Sequence, residues 1–161
     1  NDNDNDNDND LIIINSFRKI ISGLQYDTSF EQCINITCCL LNKNILDYIN
    51  KDIFNYYITP GRIINLINFA DEKKIDLLKY NLSELLKLLI DNQYYKKNRL
   101  LKNMIIEFIE LFFLKQYRLT NAKNTLLGLY YNFMNKFHNM EKFNLDEECL
   151  FLEFKSKLLN G

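Results

Sequence analysis

Arg62-Ile63-Ile64-Asn65-Leu66-Ile67-Asn68-Phe69 and Met104-Ile105-Ile106-Glu107-Phe108-Ile109-Glu110-Leu111 read as one segment written twice. Apolar residues coincide at 63/105, 64/106, 66/108, 67/109 and 69/111, a constant offset of about 42 residues. Each copy precedes a Leu-rich stretch, 75–90 after the first and 119–133 after the second. Those stretches align better at about 41, as Leu85/Leu126 and Leu88/Leu129 show, so one residue is lost in the connecting turn. Self-similarity at a period of roughly 20–50 residues marks stacked repeats, in which each unit buries its apolar face against the next.

Outward from this segment the apolar spacing is helical, and no stretch alternates with period two. The spacing predicts helices over 11–25 and 45–57, and one capped by Asp27 or Thr28 that carries Phe30, Cys33, Ile34, Thr37, Cys38 and Leu41. Thr59-Pro60-Gly61 breaks the chain, with Thr59 as cap and Pro60 at the first helical position, where its missing N–H costs nothing. A short helix over 60–69 should end at Asp71-Glu72, with Asp71 capping a long helix over 75–90. Residues 94–113 make one helix or two, joined near Asn98 or Asn103, and 114–118 link them to the helix over 119–133. In that helix Ala122, Leu126, Leu129, Tyr130 and Phe133 form the apolar stripe. A last helix starts at Asn144 or Asp146 and carries Cys149, Leu150, Leu152, Phe154, Leu158 and Leu159. The expected fold is all-α.

The repeating order of short helix, short helix, polar turn and long helix resembles the armadillo repeat. The segment from Ile58 to Asn68, entered through Gly61 and followed by Asp71-Glu72, is similar to that family's second helix, and 74–90 to its third. A second unit spans about 95–137, with Ala122 where the family often has a small residue. The resemblance implies an armadillo-like α-solenoid of about three stacked repeats over 11–161, belonging to a longer protein, with a compact helical bundle as the alternative. It further implies a non-enzymatic scaffold or adaptor that binds another protein or peptide along its third-helix face. Asn81, Lys87, Asn124 and Tyr131 are the residues expected to be exposed there. The family's peptide-holding Asn and Trp are missing: Lys87 and Gly128 stand near the Asn positions, and the chain has no Trp.

Gly61-Arg62-Ile63-Ile64, preceded by Thr-Pro and followed by Phe69, is also similar to the first homology motif of Bcl-2-like proteins. That resemblance implies a helix-binding groove centred on Arg62 and a role in regulating apoptosis. It places Asp71-Glu72-Lys73-Lys74 in a buried central helix, where four unpaired charges cannot sit.

The 161 residues allow one domain, 47% of them hydrophobic, with a formal charge of −1. That balance argues against a global nucleic-acid footprint. Lys96, Lys97, Arg99 and Lys102, interleaved with Tyr94 and Tyr95, form a small basic cluster whose rings and cations suit single-stranded RNA; a solvated helix face is the plainer reading. Residues 1–10 alternate Asn and Asp with no apolar side chain, the composition of a disordered low-complexity tail. No apolar run reaches the roughly 20 residues of a membrane span. Cys33, Cys38, Cys39 and Cys149 fit no common zinc spacing and are expected to be buried free thiols in a reducing, cytoplasmic or nuclear compartment. Asn35-Ile36-Thr37 and Asn81-Leu82-Ser83 match the glycosylation sequon by chance in an Asn-rich chain. His138, the single histidine, reads as a surface residue, and pairing it with Cys149 for catalysis lacks an orienting group. No metal or cofactor motif is present, and no catalytic residue is assigned.

Overall fold

The computed structural model describes residues 27–54, 58–143 and 145–159; the Asn/Asp tract, the helix expected over 11–25 and the start expected at Asn144 lie outside them. Among the described residues every regular element is helical. They divide into two compact units, 27–85 and 86–159.

The first unit holds α1 (Asp27–Leu41), α2 (Pro60–Lys73) and the opening of α3 (Leu82–Asp91). α1 packs on α2 and buries Cys33, Ile34 and Thr37. The Thr37 hydroxyl donates to the Cys33 carbonyl at 2.8 Å, and the Cys33 thiol donates to the Ile58 carbonyl at 3.1 Å. Both polar groups are thereby satisfied inside the core. Thr59 caps α2 as expected, its hydroxyl oxygen accepting from the Arg62 N–H, with Pro60 in the first turn.

Two expected helices are not continuous. Over 45–57 the described backbone forms two 3-10 turns, Ile45–Asp47 and Lys51–Ile53. Asn44 and Asn50 each accept a backbone N–H two residues ahead, from Leu46 and Asp52, and such side-chain bonds compete with an unbroken helix. Of the apolar stripe expected there, Ile45, Tyr48, Ile49, Ile53 and Tyr56, the three isoleucines are buried, Tyr48 is 45% exposed and Tyr56 lies outside the described residues, so the spacing located part of the core without describing the backbone. The second interruption follows α2, which runs on through Asp71 and Glu72 to Lys73. Lys74 is left-handed at φ 56°. Its N–H donates to the Asp71 carbonyl, and the Ile75 N–H donates to that of Ala70 at 2.8 Å. This pair of bonds is a Schellman termination with Lys in the place usually held by Gly. Asp71 therefore closes α2 instead of capping the next helix, and 74–81 is a turn.

α3 starts only at Leu82, behind a reciprocal cap. Asn81 Oδ1 accepts from the Glu84 N–H at 2.9 Å, while Glu84 Oε2 accepts from the Asn81 N–H at 2.9 Å. It is a capping box with Asn in the Ser/Thr position. The break shifts the register: Leu77 is buried, and Leu78, which a continuous helix would bury, is 46% exposed.

The second unit contains the rest of α3, a 3-10 turn Tyr94–Lys96, α4 (Arg99–Leu119), α5 (Lys123–Phe143) and α6 (Glu148–Phe154). A wide π-turn, Lys155–Leu159, continues α6. Asn98 divides the turn from α4 and accepts the Leu101 N–H at 2.7 Å, which makes 94–113 two elements. α4 does not stop at Phe113; the expected linker 114–118 is its last turns, because Phe113 and Leu114 keep the buried face going. α5 likewise begins later and ends later than expected, with Ala122 outside it and His138 inside.

Phe112, Phe113, Tyr130, Phe133 and Phe154 fill the centre of this unit with edge and tilted ring contacts. Tyr95 stacks on Phe151 with centroids 4.3 Å apart. On α6 the buried side chains are Leu150, Phe151 and Phe154, whereas Cys149 and Leu152 point outward.

The doubled segment occupies equivalent positions in burial but not in length. Residues 63/105, 66/108, 67/109 and 69/111 are buried in both copies. The first copy belongs to a helix of 14 residues and the second to one of 21.

Candidate functional site

A groove lies between α5 and α6 in the second unit. α5 offers Leu129, Asn132, Phe133 and Lys136, at positions i, i+3, i+4 and i+7. α6 and its π-turn offer Leu150, Glu153, Phe154, Lys157 and Leu158 at the same kind of spacing. Each wall is thus one stripe of a helix, since side chains three and four apart stand above one another. Phe133, Leu150 and Phe154 form a buried floor, and Leu129 stays 39% exposed at one edge. The groove encloses about 60 Å³. A water takes roughly 30 Å³ in the liquid and small-molecule pockets hold about 300–1,000 Å³, so the space suits the tip of a side chain.

Charges line the rim. Glu153 accepts two hydrogen bonds from Lys136, at 2.8 and 3.0 Å, and a third from Lys157 at 2.7 Å. The Lys136 hydrogen bond, followed by that of Lys157, holds the Glu153 carboxyl below its ordinary value of 4.5. Two ammonium groups and one carboxylate leave this rim with one positive charge in excess.

The basic cluster lies elsewhere in the unit, around a wide depression of about 420 Å³ lined by Tyr95, Lys96, Asn98, Arg99, Lys102, Leu145, Asp146 and Glu147. Lys96 pairs with Glu148 at 2.6 Å. Lys102 pairs with Glu147 at 2.7 Å and with Glu141 at 3.3 Å. Burial lowers the Lys102 ammonium, but the bonds and charges of Glu147 and Glu141 outweigh it and leave the group above its ordinary 10.5. The Lys97 ammonium sits 4.3 Å from the centre of the Tyr94 ring. Part of the cluster's positive charge is therefore already neutralised by the segment 141–148.

The residues expected to bind a partner are dispersed. Asn81 is exposed but engaged in the α3 cap. Lys87, on α3, and Tyr131, on α5, are half-buried where full exposure was expected, and Asn124 is exposed in the first turn of α5. Asn124 and Tyr131 share a face of α5, about 140° around the helix from the groove stripe at 100° per residue. Arg62 is exposed at the start of α2. Leu129 was read from sequence only as an apolar stripe residue, and Lys136, Glu153 and Lys157 were not singled out. Their separate stripes were visible as helical spacing, but that α5 and α6 face each other is a tertiary fact.

The thiols correct another expectation: only Cys33 is buried, Cys38 is half-buried, and Cys39 and Cys149 are exposed, all four free. Burial pushes the Cys33 thiol up, with a smaller lowering by Thr37. His138 is exposed on α5. Among the described residues no group of His, Cys, Asp and Glu is arranged to hold a metal ion, and no helix is long and apolar enough to cross a membrane. No protein-family profile, curated protein or solved structure matches this chain.

Proposed function

We propose that this chain is a non-enzymatic helical scaffold or adaptor that binds another protein, and that the groove between α5 and α6 is its contact surface. The observation that carries this reading is an apolar cleft between two helical stripes, floored by the buried Phe133, Leu150 and Phe154 and half-exposed at its edge through Leu129. Apolar clefts rimmed by polar groups are where partner side chains anchor, and a well-filled anchor contributes most of an interface's affinity. The reading keeps the armadillo-like stacking of layers as its architecture, supported by the common burial pattern at 63/105, 66/108, 67/109 and 69/111. A compact bundle would present the same groove.

A protein partner is favoured over RNA because Lys96 and Lys102, which would meet phosphates, are occupied by Glu148, Glu147 and Glu141. The Bcl-2-like reading is less favoured, because it needs a long buried central helix. Residues 74–81 form a turn, and α3 leaves Glu84 and Asp91 exposed.

Affinity capture with the wild-type chain and with Leu129→Asp and Lys87→Glu, each checked for native helicity, tests the assignment. Loss of the captured partner with Leu129→Asp alone is the expected result. Loss with Lys87→Glu alone moves the surface to α3 and overturns the groove.

A further inference from the structure

We infer that the occupant of this groove is an amphipathic α-helix that presents an aliphatic pair to the floor and a carboxylate to Lys136 and Lys157. The inference rests on the protein-binding reading and specifies the partner.

The shape comes first. Both walls are helical stripes with residues three and four apart, and Leu129, Phe133, Phe154 and Leu158 lie along them. Ridges of a third helix, at their own spacing of three and four, interdigitate with such a surface. The enclosed 60 Å³ admits the end of one aliphatic side chain, so a second must lie along the exposed edge at Leu129.

The charge decides the rest. Glu153 is shared between Lys136 and Lys157, and it can neutralise only one of them. Lys157 is the more exposed of the two, with 66% of its side chain accessible, and is free to swing toward an incoming acid. A carboxylate placed one turn from the aliphatic pair would complete two ion pairs across the rim. A Lys or Arg there would meet two ammonium groups, and like-charge juxtaposition is strongly unfavourable at an interface. Lys157 and Leu158 belong to the π-turn Lys155–Leu159, a rare winding that is frequent at functional sites.

The test pans a phage-displayed library of helical peptides, randomised over one face, against the full chain. The expected winners carry two aliphatic residues three or four apart and an Asp or Glu one turn away. Their affinity should fall at least tenfold with Leu129→Asp. It should fall similarly with the double variant Lys136→Glu/Lys157→Glu, and recover when the peptide's acid is exchanged for Lys. Winners that lose binding with Leu129→Asp but are basic, or ignore the double charge reversal, overturn this inference and leave the groove as a protein-binding surface. Winners indifferent to Leu129→Asp, or no winners at all, overturn both.

Discussion

Lys102 donates to Glu147 at 2.7 Å, tying the first turn of α4 to a residue 45 positions later, just before α6. The pair is largely shielded, with 16% and 20% of the two side chains accessible, and Glu141 approaches the same ammonium. Replacing Lys102 by Met removes the cation and leaves two carboxylates facing each other. The expected loss is about 1–2 kcal/mol, between the ranges for exposed and buried pairs. A urea titration measures it, and adding Glu147→Gln should restore part. Because the folded Lys102 lies above 10.5, its contribution is present below that pH and disappears as the pH rises through the folded value.

Glu153 gives the opposite dependence. Its carboxyl is held below 4.5 by Lys136 and Lys157, so its contribution is present above 4.5 and is lost as the pH falls through the lower folded value. Glu153→Gln should lower the neutral plateau of a urea-midpoint profile and flatten this acid limb, so that variant and wild type converge at low pH. A wild-type slope retained in the variant would assign the acid transition to other carboxylates.

Asn81 can be separated from any binding role by its cap. Asn81→Ala should cost about 1 kcal/mol in thermal or chemical unfolding, and Asn81→Ser should recover most of it. Capture of a partner that disappears with Ala but also with Ser would show that the amide itself makes contact.

Lys74 offers a gain. It carries a left-handed backbone at φ 56°, where a side chain costs about 1–2 kcal/mol and glycine little. Lys74→Gly should raise stability by about 0.5–1 kcal/mol after the greater flexibility of unfolded glycine is subtracted. A lower Tm in the variant would mean that the lysine stem stabilises the turn.

These interruptions explain how far the sequence could be read. Helical spacing identified the all-α class and the Thr59-Pro60 start, and it left 94–113 as one helix or two with Asn98 and Asn103 as candidate joints, since each reading depends on neighbours within a turn. In the stripe over 45–57 it was right for Ile45, Ile49 and Ile53, wrong for the exposed Tyr48, and it misdescribed the backbone, because a chain can deliver side chains to one core at four-residue intervals by two short turns. Lys74 gave no signal: a lysine in the left-handed region is dictated by the packing around the end of α2. The candidate groove required α5 and α6 to meet. Of its members, Leu129, Phe133, Leu150, Phe154 and Leu158 were legible only as apolar stripe residues, and Lys136, Glu153 and Lys157 carried no local signature.

The asparagine caps imply an uneven chemical ageing. Slow hydrolysis of an amide to a carboxylate keeps the oxygen that caps a helix and adds a negative charge at its positive end. At Asn98, whose Oδ1 serves Leu101, the change is benign or favourable. Asn44 and Asn50 also use their nitrogens, donating to the Asp47 carboxylate at 3.0 Å and to the Leu78 carbonyl at 3.3 Å. Conversion there replaces each attraction by oxygen facing oxygen. Stored protein should therefore loosen first around 44–53, while the start of α4 holds.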